Sequence, residues 1–432
     1  MPERLRRSLG PVTLTFYGVG TIVGAGIYSV IGAAAGEAGS LLWASFAIAA
    51  LAAFLTALSY AELSSMVSKA GAEYQFLKKA FPQRRFFAFM AGWLIAMNAA
   101  ATAATVALAF AGYLDNFVAT PAFLTALLLL AVCTAINIAG IRESTAVGVV
   151  LICIEVAGLV LIIFSGLESG RLGAGISDAA QGADVMGVFA ATSLIFFIYI
   201  GFEDIANLAE ETKEPKRTVP RALILAVLIT SALYLFVALS ALALVDPEKM
   251  AQSRSPLAFA AASAEPWRGT AVAVAALFAT ASTALLTLIS ISRLLYGMAN
   301  DGDMPSPLAK TATTRKTPWV AALALFLAAA ALLPLGEIKI VASVSSFGVL
   351  LVFTAVQAAM IALRFKAPDA ERPFRVPVSI GRLPLAPVIG IVMTVALLTG
   401  FEPLVYFIGA GAIAAGGGLY LLTGRRRRSA AA

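Results

Sequence analysis

The chain has 432 residues, of which 60% are hydrophobic and only 13% are charged, and its formal net charge is +7. Soluble domains are about 45–50% apolar and about 25% charged, and a soluble chain of this length could not cover so much apolar surface with so few charges. The composition therefore excludes a cytosolic enzyme, a disordered protein and a nucleic-acid-binding protein.

Two residue types limit the chemistry of any site. The chain has no histidine, which excludes histidine general bases, metal ligands and proton relays. Cys133 and Cys153 lie in apolar stretches and are too few for a disulfide framework or a thiolate metal site. We therefore expect no metal and no cofactor, and any proton chemistry must use carboxylates, lysine or tyrosine.

Twelve apolar runs of 18 to 29 residues follow one another, and only one of them contains a charged residue. About 20 helical residues cross a bilayer core, where the backbone must satisfy its own hydrogen bonds. The sequence therefore predicts an all-α integral membrane protein with twelve transmembrane helices in one transmembrane domain, residues 1–432. Runs 1 to 12 are residues 8–36, 38–61, 86–114, 116–141, 144–167, 185–202, 222–245, 269–292, 317–336, 340–363, 383–401 and 403–424.

The basic residues predict the orientation. Of the 31 lysines and arginines, 26 lie in alternate connecting segments that include both termini, and only five lie in the other segments. Because cytoplasmic loops carry the excess of lysine and arginine, both termini are predicted to be cytoplasmic, in a multi-pass protein of the inner membrane. The 26 lie in 1–7, 62–85, 142–143, 203–221, 293–316, 364–382 and 425–432.

Run 1 contains four glycines within nine residues, Gly18, Gly20, Gly24 and Gly26. Glycine disfavours a helix, and an unwound segment here would expose amide groups that suit a carboxylate and carbonyl groups that suit an ammonium. The alternative is close helix packing, because Gly20 and Gly24 form a GxxxG pair.

Run 5 contains Glu155, eleven residues after its start and twelve before its end. A charge near the bilayer midplane is costly, so Glu155 is predicted to be protonated or to face a polar interior. It is a candidate for proton coupling. The alternative is a permanently neutral side chain that hydrogen-bonds between helices.

Run 6 ends in Gly201 and Phe202 and is followed directly by Glu203 and Asp204. Runs 1 and 6 are the first helices of two possible five-helix halves, and interrupted helices in matching positions indicate a transporter site. For Glu203 and Asp204 the alternative is solvation at a helix end.

Run 8 carries a stripe of hydroxyl side chains. Such hydroxyls more often bond to backbone carbonyls than bind a ligand. Thr283 and Thr287 nevertheless share one helix face and are candidates to line a cavity.

The chain resembles the amino acid–polyamine–organocation superfamily of transporters over nearly its whole length. The residues that carry the resemblance are GAGIYSVIG in run 1, YAELSSMVSKAGAEYQFLKKAF after run 2, IYIGFEDIANLAEETKEPKRTVPRAL from run 6 into run 7, SRLLYGMANDGDMP after run 8 and RPFRVP after run 10. The resemblance implies a LeuT-like 5+5 inverted repeat with discontinuous helices 1 and 6. Its parts would be residues 12–168, residues 185–363 and two additional helices in 383–424.

The same resemblance implies a substrate site. Amide groups around Ala25 and Gly26 would hold an amino acid carboxylate, and an aromatic residue at Phe197 would cover the site. Glu203 matches a gating glutamate, and Glu155 stands where some relatives have a lysine. The implied substrate-binding residues are Ile22, Gly24, Ala25, Gly26, Ile95, Ala96, Ala100, Phe197, Tyr199, Ile200 and Gly201, with the carbonyls of Ile22, Phe197 and Ile200 on the ammonium, and Glu155, Glu203, Thr283 and Thr287 in coupling or gating.

The resulting hypothesis is proton-coupled uptake of neutral, mostly apolar L-amino acids by alternating access. Ile95, Ala96 and Ala100 are apolar and argue against a cationic substrate. An amino acid exchanger, a cationic amino acid or amine transporter, and a non-transporting amino acid sensor are the alternatives. The partners predicted are the amino acid, a proton or other coupling ion, and membrane lipids, but no nucleic acid.

Overall fold

The computed structural model describes residues 9–67, 71–140, 145–172, 184–312 and 317–430, with side chains omitted at 145–147 and 424–430. Helices dominate these residues. In the first half of the chain they are α1 (Pro11–Val23), α2 (Gly26–Ala38), α3 (Leu42–Met66), α4 (Ala72–Ala80), α5 (Arg85–Leu114), α6 (Ala122–Ala139) and α7 (Thr145–Glu168).

The second half is also mainly helical. Its helices are α8 (Val185–Ile195), α9 (Asp204–Asn207), α10 (Pro215–Leu244), α11 (Pro247–Gln252), α12 (Pro256–Ala264), α13 (Pro266–Asn300), α14 (Trp319–Leu332), α15 (Ile338–Lys366), α16 (Leu385–Leu397) and α17 (Pro403–Ala430). Short 3-10 turns cover Gly39–Leu41, Phe196–Tyr199, Ala209–Glu211, Ser306–Ala309 and Leu333–Leu335. Strands β1 (Ser379–Ile380) and β2 (Leu383–Pro384) form one antiparallel hairpin in which Ser379 faces Pro384.

Nine helical segments among the described residues are long and apolar enough to cross a membrane. The longest, Gly26–Met66, has 41 residues and joins α2 to α3 through the turn at Gly39–Leu41. Three further apolar helices are shorter: Pro11–Val23, Trp319–Leu335 and Leu385–Leu397. The charge-free runs overestimate some helix lengths because uncharged residues also form other structure, as Leu383 and Pro384 do in strand β2 of the hairpin that precedes α16.

The core lies between the helices that contain the predicted site and the helices that surround them. α3 packs along α10, α5 packs along α13 and α15, and α1 packs along α10. Many of the buried residues are alanines, such as Ala52, Ala103 and Ala276. Small side chains allow close backbone approach, which is the usual basis of helix packing in lipid.

Candidate functional site

The first interruption lies within run 1. α1 ends at Val23 and α2 begins at Gly26, so Gly24 and Ala25 stand between two helices. Ala25 is fully buried, and its amide donates a 3.0 Å hydrogen bond to the Thr283 hydroxyl of α13. The structure therefore has a break where the glycines predicted one.

The second interruption lies within run 6. α8 ends at Ile195, a 3-10 turn covers Phe196–Tyr199, and Ile200 is extended with φ −62° and ψ 132°. Gly201 has φ +122°, a value that side chains with a Cβ rarely adopt. Its amide donates to Oε2 of Glu203 at 2.8 Å. The half-buried Glu203 thus bonds to the backbone of the interruption itself.

The two interruptions lie side by side. A Cβ placed on Gly26 would approach Cα of Ile198 to 2.9 Å, and one placed on Gly201 would approach the carbonyl oxygen of Thr21 to 2.7 Å. The Thr21 hydroxyl also donates to the carbonyl of Gly201 at 3.3 Å. Glycine at these two positions is therefore what permits the backbones to touch.

Tyr234 of α10 connects both interruptions through one hydroxyl group. The hydroxyl donates to the carbonyl of Ile22 at 2.6 Å and lies 3.3 Å from the carbonyls of Val23 and Ile198. The ring of Tyr234 packs edge-on against Tyr199 at 5.5 Å, and both tyrosines are fully buried. Sequence reasoning did not select Tyr234, although a hydroxyl group within an apolar run was a usable signal.

The backbone around the first interruption offers both signs of partial charge. Helix starts expose amides with partial positive charge, and helix ends expose carbonyls with partial negative charge. The start of α2 and the end of α1 meet here, and Ile22, Ala25 and Phe197 are all at most 3% exposed. In this buried setting, backbone groups can bind a carboxylate and an ammonium without a charged side chain.

The predicted carbonyls differ in their present partners. Ile22 accepts from Tyr234, as above, whereas the carbonyl of Phe197 accepts from the amide of Ile200 at 3.3 Å. The Phe197 side chain is buried. A ligand ammonium at these carbonyls would share or displace those donors.

Glu155 on α7 is 3% exposed and faces other helices. Its Oε1 accepts from the Ser282 hydroxyl at 2.8 Å, and its backbone carbonyl accepts from the Tyr28 hydroxyl at 2.6 Å. Ser282 is adjacent to Thr283, so neighbouring residues of α13 contact Glu155 and the first interruption. The half-buried Thr287 lies one helical turn after Thr283.

The predicted side-chain pocket residues lie on α5, which also contacts α2. Ala96 and Ala100 are buried and Ile95 is half-buried. Sequence reasoning missed a polar group on the same helix: Oδ1 of Asn98 accepts from the hydroxyls of Ser345 on α15 and of Thr102.

Two polar clusters occupy the end of the molecule where α3 ends, and sequence reasoning missed both. In the first, the buried Glu62 receives two 2.6 Å hydrogen bonds from Arg364 and lies 3.2 Å from Nε of Arg372. The amide of Val376 adds a third donor at 2.8 Å. This cluster connects α3 to α15 and to the segment that carries RPFRVP.

The second cluster surrounds Glu73 in the first turn of α4. Its Oε1 accepts from the Tyr60 hydroxyl at 3.0 Å. Burial raises the pKa of Glu73 from 4.5 to about 7, and this increase outweighs the opposing effect of the backbone and Tyr60 hydrogen bonds.

Asn207, at the end of α9, joins a second segment to the start of α4. Its Oδ1 accepts from the amides of Gly71 and Ala72 at 3.0 and 2.9 Å. The start of α4 is thereby joined to the segment that follows the second interruption.

The sequence matches a family model described as amino acid permease over residues 9–421. The chain belongs to this amino acid permease family. An uncharacterized transporter of Mycobacterium tuberculosis (strain ATCC 25618 / H37Rv) is 31% identical over 99% of the chain and 95% of the relative. The branched-chain amino acid permease BcaP of Bacillus subtilis (strain 168) is 29% identical over 87% of the chain and 84% of the relative. The vacuolar cationic amino acid transporter 4 of Arabidopsis thaliana is 31% identical over 85% of the chain and 65% of the relative.

Membership confirms the resemblance to the superfamily that was read from the motifs. This permease is a multi-pass membrane protein whose named relatives are permeases and transporters, not enzymes.

Proposed function

We propose that the protein is a secondary active transporter that carries amino acids across the cytoplasmic membrane by alternating access. The observation that supports this most strongly is the pair of adjacent interruptions joined by the Tyr234 hydroxyl. In this proposal α1 with α2 forms the first of twelve spans, and α8 with α9 forms the sixth. The chain is then a 5+5 inverted repeat with two added helices and both termini in the cytoplasm.

The substrate carboxylate would bind at the start of α2, and its ammonium would bind the carbonyls of Ile22, Phe197 and Ile200. The Ala25 amide is available to a carboxylate once Thr283 gives up its hydrogen bond. Because the site is buried, the helices around it must move apart to admit substrate from either side. This requirement is what alternating access supplies.

The proposed substrate is a neutral, mostly apolar L-amino acid. Ile95, Ala96 and Ala100 provide an apolar lining, and the Bacillus relative is named a branched-chain amino acid permease. A cationic amino acid is the second candidate, because the Arabidopsis relative is named a cationic amino acid transporter. Competition by leucine against lysine for uptake separates the two.

We propose proton coupling through Glu155, with Glu203 as the second candidate. Glu155 is 3% exposed within a membrane helix, where an unpaired charge is costly. Its ionised form therefore needs a polar partner. Ser282 provides such a partner. Its neighbour Thr283 bonds to the first interruption, so a change at Glu155 has a short physical path to the substrate site.

The test uses purified protein in liposomes with an imposed pH gradient, acidic outside, and labelled leucine. Uptake should follow the gradient in the parent protein, and Glu155→Gln should lose the concentrative part. Glu168→Gln on the same helix, whose side chain is 48% exposed and paired with Arg268, is the matched control. Uptake that ignores the gradient and is unchanged in Glu155→Gln would contradict the coupling.

Two further assays separate the alternative functions. Counterflow without a pH gradient should occur with a symporter and with an exchanger. Net uptake into liposomes that contain no amino acid should occur only with a symporter, because an exchanger requires amino acid on both sides. A sensor would bind labelled leucine without moving it. Failure of both counterflow and uptake, with binding intact, would contradict transport itself.

A further inference from the structure

A basic pocket lies at the start of α10. Its volume is about 340 Å³, and Pro11, the first residue of α1, forms one side. The pocket is lined by Pro11, Lys213, Glu214, Arg217, Thr218 and Arg221.

Among the described residues, no ion pair neutralises the three cations of this pocket. Lys213, Arg217 and Arg221 are exposed, and none of them has an ion pair within 4 Å among the residues that the structure describes. Glu214 supplies one carboxylate to the lining, so the pocket has a net excess of two positive charges. The neighbouring Lys216, by contrast, pairs with Glu371 at 3.2 Å.

The geometry of α10 places two of these cations on one side. Arg217 and Arg221 are four residues apart, so they lie one above the other on the same helix face. Both belong to the first turns of a helix long and apolar enough to cross a membrane. Arg221 directly precedes the charge-free run 222–245, which places the pocket at the level of the lipid headgroups.

The same pocket touches the point where the chain enters α1. The amide of Leu9 donates to the carbonyl of Glu211 at 3.1 Å, and the amide of Lys213 donates to the carbonyl of Leu9 at 2.9 Å. These two backbone bonds join the start of α1 to the segment that supplies Lys213. A ligand held by Lys213 and Arg221 would therefore bridge this joined segment and α10.

We propose that this pocket binds the phosphate of an anionic phospholipid headgroup and so fastens the start of α1 to α10. Arginine and lysine bind phosphate oxygens through charge-assisted hydrogen bonds. A basic residue at the membrane surface contributes about 1 kcal/mol to anionic lipid binding, which corresponds to about fivefold in affinity. Because the pocket lies at the level of the lipid headgroups, a lipid is favoured over a soluble phosphate as the source of the bound phosphate group.

The test measures phosphatidylglycerol binding to the purified full-length protein by native mass spectrometry, together with the midpoint of thermal unfolding in detergent. Phosphatidylglycerol should raise the midpoint more than phosphatidylcholine does. The triple variant Lys213→Gln/Arg217→Gln/Arg221→Gln should bind phosphatidylglycerol at least tenfold more weakly and lose the added stabilisation.

A second triple variant serves as the matched control. Arg293→Gln/Lys310→Gln/Arg382→Gln removes the same net charge from exposed positions elsewhere and should leave both measurements at parent values. Equal losses in the two triple variants would mean general surface attraction and would overturn the site.

Two single variants keep the test decisive if a triple variant does not fold. Arg221→Gln should weaken phosphatidylglycerol binding about fivefold, and Glu214→Gln, which removes the opposing carboxylate, should strengthen it. Identical shifts in both variants would overturn the proposal. Inorganic phosphate at matched ionic strength should not stabilise the protein, and full stabilisation by phosphate alone would overturn the assignment to a lipid.

Discussion

The amide of Ala25 and the hydroxyl of Thr283 share a 3.0 Å hydrogen bond although they are 258 residues apart. This bond occupies the amide that we propose for the substrate carboxylate. Because one amide proton makes one strong hydrogen bond, substrate binding there must break the bond to Thr283. In this proposal the substrate carboxylate therefore competes with the Thr283 hydroxyl for the Ala25 amide.

Replacing Thr283 tests this competition for the Ala25 amide directly. Thr283→Val keeps the shape of the side chain but removes the hydroxyl, so the unloaded protein is left with an unpaired buried amide. A typical protein hydrogen bond contributes about 0.5–1.5 kcal/mol, and we expect leucine to bind Thr283→Val about two- to tenfold more tightly. Thr283→Ser retains the hydroxyl and should keep parent affinity. Isothermal titration or scintillation proximity binding measures both, and weaker binding by Thr283→Val would show that the hydroxyl contacts the substrate instead.

The contact between the interruptions can be tested at Gly26. A Cβ at this position would come within 2.9 Å of Cα of Ile198, a backbone atom that cannot move away cheaply. We expect Gly26→Ala to reduce the initial rate of leucine uptake at least tenfold. Gly297→Ala on α13 adds the same methyl group where nothing lies within 4 Å. It should transport at the parent rate, and equal losses in both variants would remove the special role of the contact.

The positions of the interruptions could be predicted because glycines and carboxylates break the apolar pattern locally. The breaks lie at Gly24 and around Gly201, where the sequence placed them. The same rule marked Glu155, which is buried and hydrogen-bonded. In each case the signal lies within a few residues of the feature.

The partners of these groups could not be predicted, because they come from distant parts of the chain. Tyr234 reaches Ile22 across 212 residues, and Ser345 reaches Asn98 across 247. A single sequence indicates that a polar group in an apolar run needs a partner, but not which helix supplies it. Some helix lengths were overestimated because the absence of charge does not distinguish a helix from other structure, and Leu383 lies in a short strand.

The buried cluster at Glu62 predicts a large effect on stability. Glu62 is 1% exposed and faces Arg364 and Arg372, so Glu62→Gln would leave two buried guanidinium groups without their counter-charge. Breaking a buried ion pair by removing one partner costs about 3–5 kcal/mol. We expect a clear drop in the midpoint of thermal unfolding for Glu62→Gln.

The control for Glu62 is the exposed pair between Lys216 and Glu371, whose side chains are 53% and 76% exposed. Exposed pairs contribute about 0–1 kcal/mol, so Glu371→Gln should leave the unfolding midpoint nearly unchanged. Equal midpoints for the two variants would mean that water enters the Glu62 cluster and replaces the lost charge.

The carboxyl group of Glu73 makes stability depend on pH. Burial raises its pKa from 4.5 to about 7. The folded protein therefore holds this proton more tightly than the unfolded chain does, and the resulting stabilisation is fully present below about pH 4.5. It is lost as the pH rises towards 7, by roughly 3 kcal/mol in total.

Two substitutions isolate this contribution. Glu73→Gln cannot ionise, so its thermal unfolding midpoint should fall less between pH 4.5 and 7 than that of the parent, while Glu371→Gln should follow the parent profile. Tyr60→Phe removes the donor to Oε1 of Glu73, which should raise the pKa of Glu73 and shift the loss of stability to higher pH. The absence of histidine means that no imidazole titrates in this window. Parallel profiles for the parent and Glu73→Gln would show that the Glu73 carboxyl is solvated and does not carry the pH dependence.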